Sequence, residues 1–576
     1  MAKEVEKLKD GAKMFKAVAL MARKRAQQLV VEDDKGRLVG NTTESLDIIR
    51  SHFNTQFNRP DASPVLPFHG DPRPLQNPIT AHEMYSCIKK LNNNNRACGP
   101  DGVNAECLKY GGETLAQALA QCLNCMFETH HPIELGQGTL IPLPKPNKKK
   151  GPPGNLRSIV LLNSTRKALS LLTLRRIQPA VDSYLSASHS GFRPGRSTAD
   201  AVWTHRWLAA ITQKYHATIE IHGIDMSKAF DTISREKLLT VVHGIVKEDE
   251  VRLIRVLLSN TSLSVLACKQ QSSEFETMIG TPQGDCLSPV LFVIYLESAL
   301  RDLRATLPPR PPADDLLPGE VIYADDTDFL SSSRTWLDSI SPSITEVLRE
   351  WHLKVNEEKT EQTTLRREGD RLAEVWRKTR KLGSLLGDEQ DVIRRKQLAT
   401  AAFRSLFVVW CRRELISEKL RLRLYQAFVI PVLTYNGGTW GLTVALEQSL
   451  DSFHRQQLRS LLGISWPQKM TNVSLYARCK AEPIINILKR LRWQLFGHIL
   501  RLPEDTPASL AMAAYFTHDE KTWRGRPRVT IVTKLSGDLA GTDNGRLVSL
   551  GDLQRLRILA RDRAGWRGLY AVVCSS

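Results

Sequence analysis

The stretch Val321-Ile322-Tyr323-Ala324-Asp325-Asp326-Thr327-Asp328-Phe329-Leu330 constrains the fold more than any other. Two apolar, strand-forming arms flank a pair of adjacent carboxylates. β-Branched and aromatic residues suit a pleated, half-buried ribbon, whereas Asp is a turn residue. The pattern predicts a β-hairpin with Asp325 and Asp326 at or beside its tip. A bare Asp-Asp is ordinarily a solvated surface turn, and Asp314-Asp315, just upstream, is read that way. The buried-looking flanks set Asp325-Asp326 apart and raise the question of which cation they face.

Charge narrows the partner. The 576 residues carry 80 basic and 61 acidic side chains, a net +19, which points to a polyanion, nucleic acid before membrane. No run approaches the ~20 apolar residues of a membrane span, and the Lys-punctuated N-terminus is unlike a secretory signal. Ten scattered cysteines suit a reducing, intracellular compartment. Cys122-x-x-Cys125 with His130 and His131 has zinc-ligand residue types. It lies in a helical run (Leu115, Leu119, Leu123, Phe127) without a second close pair, so a helix is expected there.

Along the chain, residues 1–58 read as helix, hairpin, helix. Val5, Leu8, Ala12 and Phe15 mark the first helix, Asp33 to Gly36 the turn, and Leu46, Ile49 and Phe53 the second helix. Six prolines between Pro60 and Pro78 predict a linker or irregular strap. From Ile79 to about Leu365 short strands alternate with amphipathic helices, and from about Val375 helical patterns dominate.

A second acid sits at another strand end. Thr218 to Ile224 alternates like a strand and stops at Asp225, placed to face a cleft; Asp231 reads instead as a turn or capping residue. Between the two acidic sites lies Gly280-Thr281-Pro282-Gln283-Gly284-Asp285-Cys286-Leu287-Ser288-Pro289. Ser288 as N-cap and Pro289 at the first position predict the start of a helix, and the glycines allow backbone to approach a ligand. If Asp225, Asp325 and Asp326 converge, bound cations must offset their repulsion. Oxygen donors select Mg²⁺ or Mn²⁺, and two such ions form a clamp for phosphoryl or nucleotidyl transfer.

The order Asp225-x4-Phe230, Gly280–Pro289, Tyr323-Ala324-Asp325-Asp326 resembles the palm of reverse transcriptases, especially those of LINE-type (non-LTR) retrotransposons. Gly99 to Val103 with Glu106 to Lys109, Leu140 to Pro146 with Asn155 to Ile159, and Ser190 to Thr198 resemble successive finger motifs. Ser197-x-x-Asp200 would cap the helix that follows the last of these. Leu353 to Thr360 resembles a further palm motif, and Leu382-Gly383-Ser384 the primer grip, with Leu382 where many relatives carry Tyr. The resemblance covers about residues 30–440 in family order.

It implies an α+β, right-hand polymerase with an antiparallel palm sheet and a mainly helical C-terminal extension. The divisions it implies are an N-terminal extension and linker (1–78), fingers (79–215), palm (216–374), primer grip and thumb (375–445) and a basic extension (446–576). The activity implied is RNA-templated DNA synthesis from dNTPs, extending a DNA primer or a nicked target DNA, with two Mg²⁺ ions or Mn²⁺. The alternatives are an RNA-dependent RNA polymerase and a catalytically silent nucleic-acid-binding remnant.

By the same resemblance Asp225 and Asp325 ligate the ions, Asp326 assists, and Met226 adds its carbonyl. Phe230 would exclude a 2′-hydroxyl, although a packing role stays open. Lys145 and Arg157 would clamp the triphosphate, while Lys148, Lys149 and Lys150 fall in the hairpin turn. Gln283 and Gly284 would pack on the nascent base pair, Tyr323 would border the substrate, and Lys359 would give a proton to pyrophosphate. Arg193 and Arg196 would touch nucleic acid.

Downstream, Leu433 to Trp440 and Arg492 to Ile499 resemble segments that follow the polymerase in LINE proteins. Lys489, Arg490, Arg492, Trp493 and Arg501 form a basic, aromatic helix face suited to nucleic acid. Arg524-Gly525-Arg526-Pro527-Arg528 looks like an AT-hook core, with Arg526 in a minor groove. Nothing resembles an apurinic-type endonuclease or a Cys/His knuckle, so the expectation is an element lacking its nicking domain, or a truncated copy. Such a protein would meet its RNA in the cytoplasm and act in the nucleus.

Overall fold

The computed structural model describes residues 29–91, 97–146, 148–411 and 416–575. The helix expected around Val5 to Phe15 lies outside them. Val31–Glu32 pairs with Leu38–Val39 across the expected turn, and α1 (Thr42–Phe57) follows with Leu46, Ile49 and Phe53 buried. Chain through the prolines is irregular up to Thr80, whose side chain caps the next helix in a reciprocal capping box with Glu83. Cys122 and Cys125 are exposed on the helix Gly112–Thr129.

Two sheets carry the centre of the molecule. In the first, β1 (Gln137–Pro144) pairs antiparallel with β2 (Leu156–Leu162) and parallel with Ser262–Ala267. α1 lays Ile49, Phe53 and Phe57 against this sheet, in one core with Leu140, Val160, Leu263 and Phe275.

The second sheet is all antiparallel: β3 (Ile219–Ile224), β4 (Glu320–Tyr323), β5 (Asp326–Ser331) and β6 (Glu361–Leu365) stand in the order β4-β5-β3-β6. β4 and β5 form the expected hairpin, closed by Ala324 and Asp325, with Ala324 at φ 57. The open edge of β4 is covered by residues 188–190: the Ser190 amide donates to the Ile322 carbonyl (2.8 Å) and the Ile322 amide to Ser188 (3.1 Å). A Cβ on Gly191 would stand 2.2 Å from the Ala324 nitrogen, so only glycine lets this loop touch the hairpin tip.

One face of the sheet contributes Ile224, Ile322 and Phe329 to a large core with α3 (Ser288–Thr306). α3 begins at Ser288 with Leu287 as N-cap, one residue earlier than the Ser-Pro pair predicts, because the Asp285 carboxylate accepts the Leu287 amide. The opposite face contributes Ile219, Ile221, Val321, Leu330 and Leu365 to a second core. Its other walls are α2 (Thr198–Lys214), with Trp203 and Trp207, and the last third of the chain, with Trp493, Phe496, Met512, Leu535 and Leu556. The C-terminal segment is mainly helical and closes the back of the sheet.

Several expectations are corrected by this packing. Arg492 and Trp493, on α4 (Ile484–Leu500), are 3% and 0% exposed, and both donate to the Asp538 carboxylate at 2.9 Å. Neither is available to nucleic acid. Arg490 is engaged by Glu482, and Arg501 donates to the Ala560 carbonyl. Arg528, expected in a groove-binding pentapeptide, is anchored by Glu374 and Gln213, whereas Arg526 is exposed. Asp314 is not a surface acid: it is fully buried and accepts from the Ser331 hydroxyl and the Ser332 amide. No helix among the described residues is long and apolar enough to cross a membrane.

Candidate active site

The end of β3 and the tip of the β4–β5 hairpin meet. The last registered pair is Thr327 with Ile224, so one step further Asp326 falls opposite Asp225. Asp225 and Asp325 both line a cleft of about 790 Å³. Burial first, then the charge of Asp225, holds the Asp325 carboxyl above the usual range. The Asp326 carboxyl is pushed up to about 6: packed neighbours displace bulk water, and Asp325, Asp328 and Asp225 add repulsion. Asp326 is nevertheless exposed and does not line the cleft. The carboxylates repel one another, and the donors they offer are all oxygen. Among the described residues no three acidic, His or Cys side chains are gathered closely enough to hold an ion alone.

Other groups hold Asp225. Its carbonyl accepts the Asn356 amide (2.8 Å), and its carboxylate accepts the Lys359 ammonium (2.6 Å). Met226 is buried, lines the cleft, and pairs with Val355.

The opposite wall comes from the first sheet. Lys145 and Arg157 both line the cleft, on facing strand ends: Leu143 pairs with Arg157, and the Lys145 amide donates to Asn155 (2.9 Å). Arg157 is exposed. Of the turn lysines, Lys148 also lines the cleft and Lys149 pairs with Glu32 (2.9 Å).

Phe230 stands at the cleft wall, tilted 4.6 Å from the Phe292 ring and edge-on to Phe192 at 6.0 Å. The glycine-rich loop is stitched beside it: the Thr281 amide donates to Phe230 (3.0 Å) and the Gly280 amide to Ile233 (2.8 Å). Buried Arg235 donates to the Gly280, Leu258, Thr277 and Ile279 carbonyls, fixing the loop from below.

Gln283 and Gly284 lie against β2. The Val160 amide donates to the Gln283 carbonyl (2.7 Å), and a Cβ on Gly284, at φ +144, would meet the Val160 carbonyl at 2.3 Å. Gly284→Ala is therefore expected to push the loop off β2 and lower stability by ~1–3 kcal/mol, the strain to be absorbed. Thermal melting beside wild type would measure it.

Two expected contacts are placed elsewhere. Tyr323 does not line the cleft; burial, then Tyr435 and Asp200, raise its phenol's pKa on the hairpin's other side. Arg193 gives its guanidinium to the Ser186 and Asp182 carbonyls, so it ties its own loop together rather than reaching outward. Arg196 is half-buried beside it. Conversely, Gln56, Ser227, Lys228 and Asp231 line the cleft, and sequence reading did not nominate them.

Beneath the acids lies a buried ion cluster. Asp328 binds the Lys381 ammonium (2.6 Å) and His205 Nε2 (2.9 Å). Gly223 leaves the room, for its Cβ would fall 2.4 Å from Lys381 Nζ and 2.5 Å from Asp328 Oδ1. Burial alone would raise the Asp328 carboxyl, but Lys381 and His205 hold it well below the usual range. Lys381→Met is expected to cost ~3–5 kcal/mol by stranding that carboxylate, with Asp328→Asn in the same chain recovering most of it. Urea unfolding of the three variants would check this.

Residues 143–392 match the family described as "Reverse transcriptase (RNA-dependent DNA polymerase)". The chain is 24% identical over 372 residues to the RNA-directed DNA polymerase from mobile element jockey of Drosophila funebris, covering 60% of this chain and 39% of that protein. It is 22% identical over 265 residues to the retrovirus-related Pol polyprotein from type-2 retrotransposable element R2DM of Drosophila melanogaster, 45% of this chain and 24% of that protein. Against the probable RNA-directed DNA polymerase from transposon X-element of the same species it is 24% identical over 225 residues, 38% of this chain and 25% of that protein. It thus spans less than two-fifths of the length of each. A solved structure of telomerase from Candida tropicalis with a fragment of telomeric RNA is 14% identical, with TM-score 0.35 over 69% of this chain and 67% of that one. The architecture is α+β with a mainly helical C-terminal part, and the chain carries a reverse transcriptase domain distantly homologous to those of the non-LTR retrotransposons jockey, R2 and X-element.

Proposed function

We propose that the chain is an RNA-directed DNA polymerase that extends a primer 3′ end with dNTPs. The observation that carries the reading is one cleft holding Asp225 and Asp325 on one wall and Lys145 and Arg157 on the other, within a reverse transcriptase domain. Residues 79–215 act as fingers, 216–374 as palm, 375–445 as primer grip and thumb, with 1–78 and 446–576 as extensions. The template is RNA and the primer DNA, a nicked target included.

Lys145 and exposed Arg157 bind the triphosphate, Arg157 by a two-point grip. Phe230 presents its ring to the sugar and excludes a 2′-hydroxyl. Gln283 and Gly284 bear on the nascent base pair. Asp225 and Asp325, assisted by Asp326 and the Met226 carbonyl, would hold two Mg²⁺ or Mn²⁺ ions. Such ions, when bound, acidify the primer hydroxyl and neutralise charge on the leaving pyrophosphate. Lys359 supplies a proton to that leaving group.

The test is primer extension on RNA with dNTPs or with NTPs. Preferential dNTP incorporation is expected; dominant NTP incorporation would make the chain an RNA-dependent RNA polymerase. Wild-type protein as inactive as its Asp325→Asn variant on several templates would leave only a nucleic-acid-binding remnant.

A further inference from the structure

Asp231 is 3% exposed, yet it belongs to the cleft wall beside Phe230. It is neither a cap nor a solvated turn: each carboxylate oxygen accepts one glutamine amide. Oδ1 takes the Gln283 Nε2–H (3.0 Å) and Oδ2 the Gln56 Nε2–H (2.8 Å). An ionised carboxylate only accepts. Both glutamines must therefore turn their N–H toward Asp231 and their carbonyl oxygens away from it, which fixes the Gln283 amide in one orientation.

Gln56 comes from α1, outside the matched reverse transcriptase residues, and is 175 positions from Asp231. The end of α1 is sewn to the strand that feeds the glycine-rich loop. The Phe57 carbonyl accepts the Met278 and Ile279 amides (3.0 and 3.1 Å), and Asn58 exchanges hydrogen bonds with Glu276 and Met278. α1 is thus held where Gln56 reaches the cleft, by contacts independent of Gln56 itself. The charges around Asp231 are those of Lys145 and Lys228, both cleft residues. Burial outweighs them and pushes its carboxyl up to about 6.

We propose that Asp231 and Gln56 are positioning residues of the nucleotide site, which lock Gln283 against the incoming dNTP and make α1 part of that site. The inference rests on the polymerase reading above and adds a specificity element to it. No bond is made or broken by either residue; they act through Gln283.

The experiment uses the full chain on an RNA template with a DNA primer, measuring kcat, KM for dNTP, KM for template–primer and the ratio of correct to incorrect insertion. Asp231→Ala is expected to raise the dNTP KM about tenfold or more, the equivalent of one charge-assisted hydrogen bond. kcat should fall less, KM for template–primer should hold, and misinsertion should rise. Gln56→Leu, at a half-buried helix position, should give the same pattern more weakly. The double variant should be no worse than Asp231→Ala alone, because the two act as one unit.

Wild-type protein that incorporates no dNTP on RNA would sink the polymerase reading and this inference with it. Active wild type with a dNTP KM and insertion ratio unchanged in both variants would overturn this inference alone. So would equal losses in every kinetic constant accompanied by a lower melting temperature, the mark of a merely structural role.

Discussion

Asp325→Asn abolishes RNA-templated extension while leaving nucleic-acid affinity close to wild type; that is the expected result at the hairpin tip. The substitution keeps size and shape but removes one of two facing anionic donors. Divalent ions contribute several kcal/mol of transition-state stabilisation in such reactions, and ~4 kcal/mol is a thousandfold in rate. Asp225→Asn should be as severe and should also release Lys359, which now binds its carboxylate. Single-turnover extension, beside template–primer binding measured by fluorescence anisotropy, separates the two effects. Activity within tenfold of wild type would remove the acids from the chemistry.

Truncation after residue 445 should be equally severe, but through folding. Trp493, Phe496, Ile499, Met512, Leu535 and Leu556 are buried in the core that the back of the antiparallel sheet shares with Trp203 and Trp207. Each such side chain contributes about 1.5–3 kcal/mol on burial. Half a dozen together match the whole ~5–15 kcal/mol by which a typical domain is stable. The shortened chain should be insoluble or lack cooperative melting by circular dichroism. A soluble fragment melting like the full chain would contradict this account of the core.

The two acidic sites were legible because their signal is local. A strand pattern that stops at Asp225 and an apolar-acid-acid-apolar hairpin each carry their own placement, and the register then brings them opposite each other. Lys145 and Arg157 were nominated by the family resemblance alone, and both line the cleft. Asp231 and Gln56 were not, since nothing near either residue announces a partner 175 positions away. Arg492 and Trp493 misled in the opposite direction: a basic, aromatic helix face reads as solvent-facing until Asp538, 46 residues on, supplies a buried acceptor. Asp314 likewise looks like a turn acid unless the Ser331 hydroxyl and Ser332 amide, packed above it, are known. Periodicity reports which face is apolar, whereas long-range polar pairs decide which charges go inside.

The most direct measurement is anomalous diffraction from Mn²⁺ in a complex of the protein with RNA template, DNA primer and an incoming non-hydrolysable dNTP. The account predicts manganese held by Asp225 and Asp325, with the triphosphate reaching Lys145 and Arg157. A bound dNTP with no manganese at those carboxylates, or with Lys359 still closed on Asp225, would contradict it.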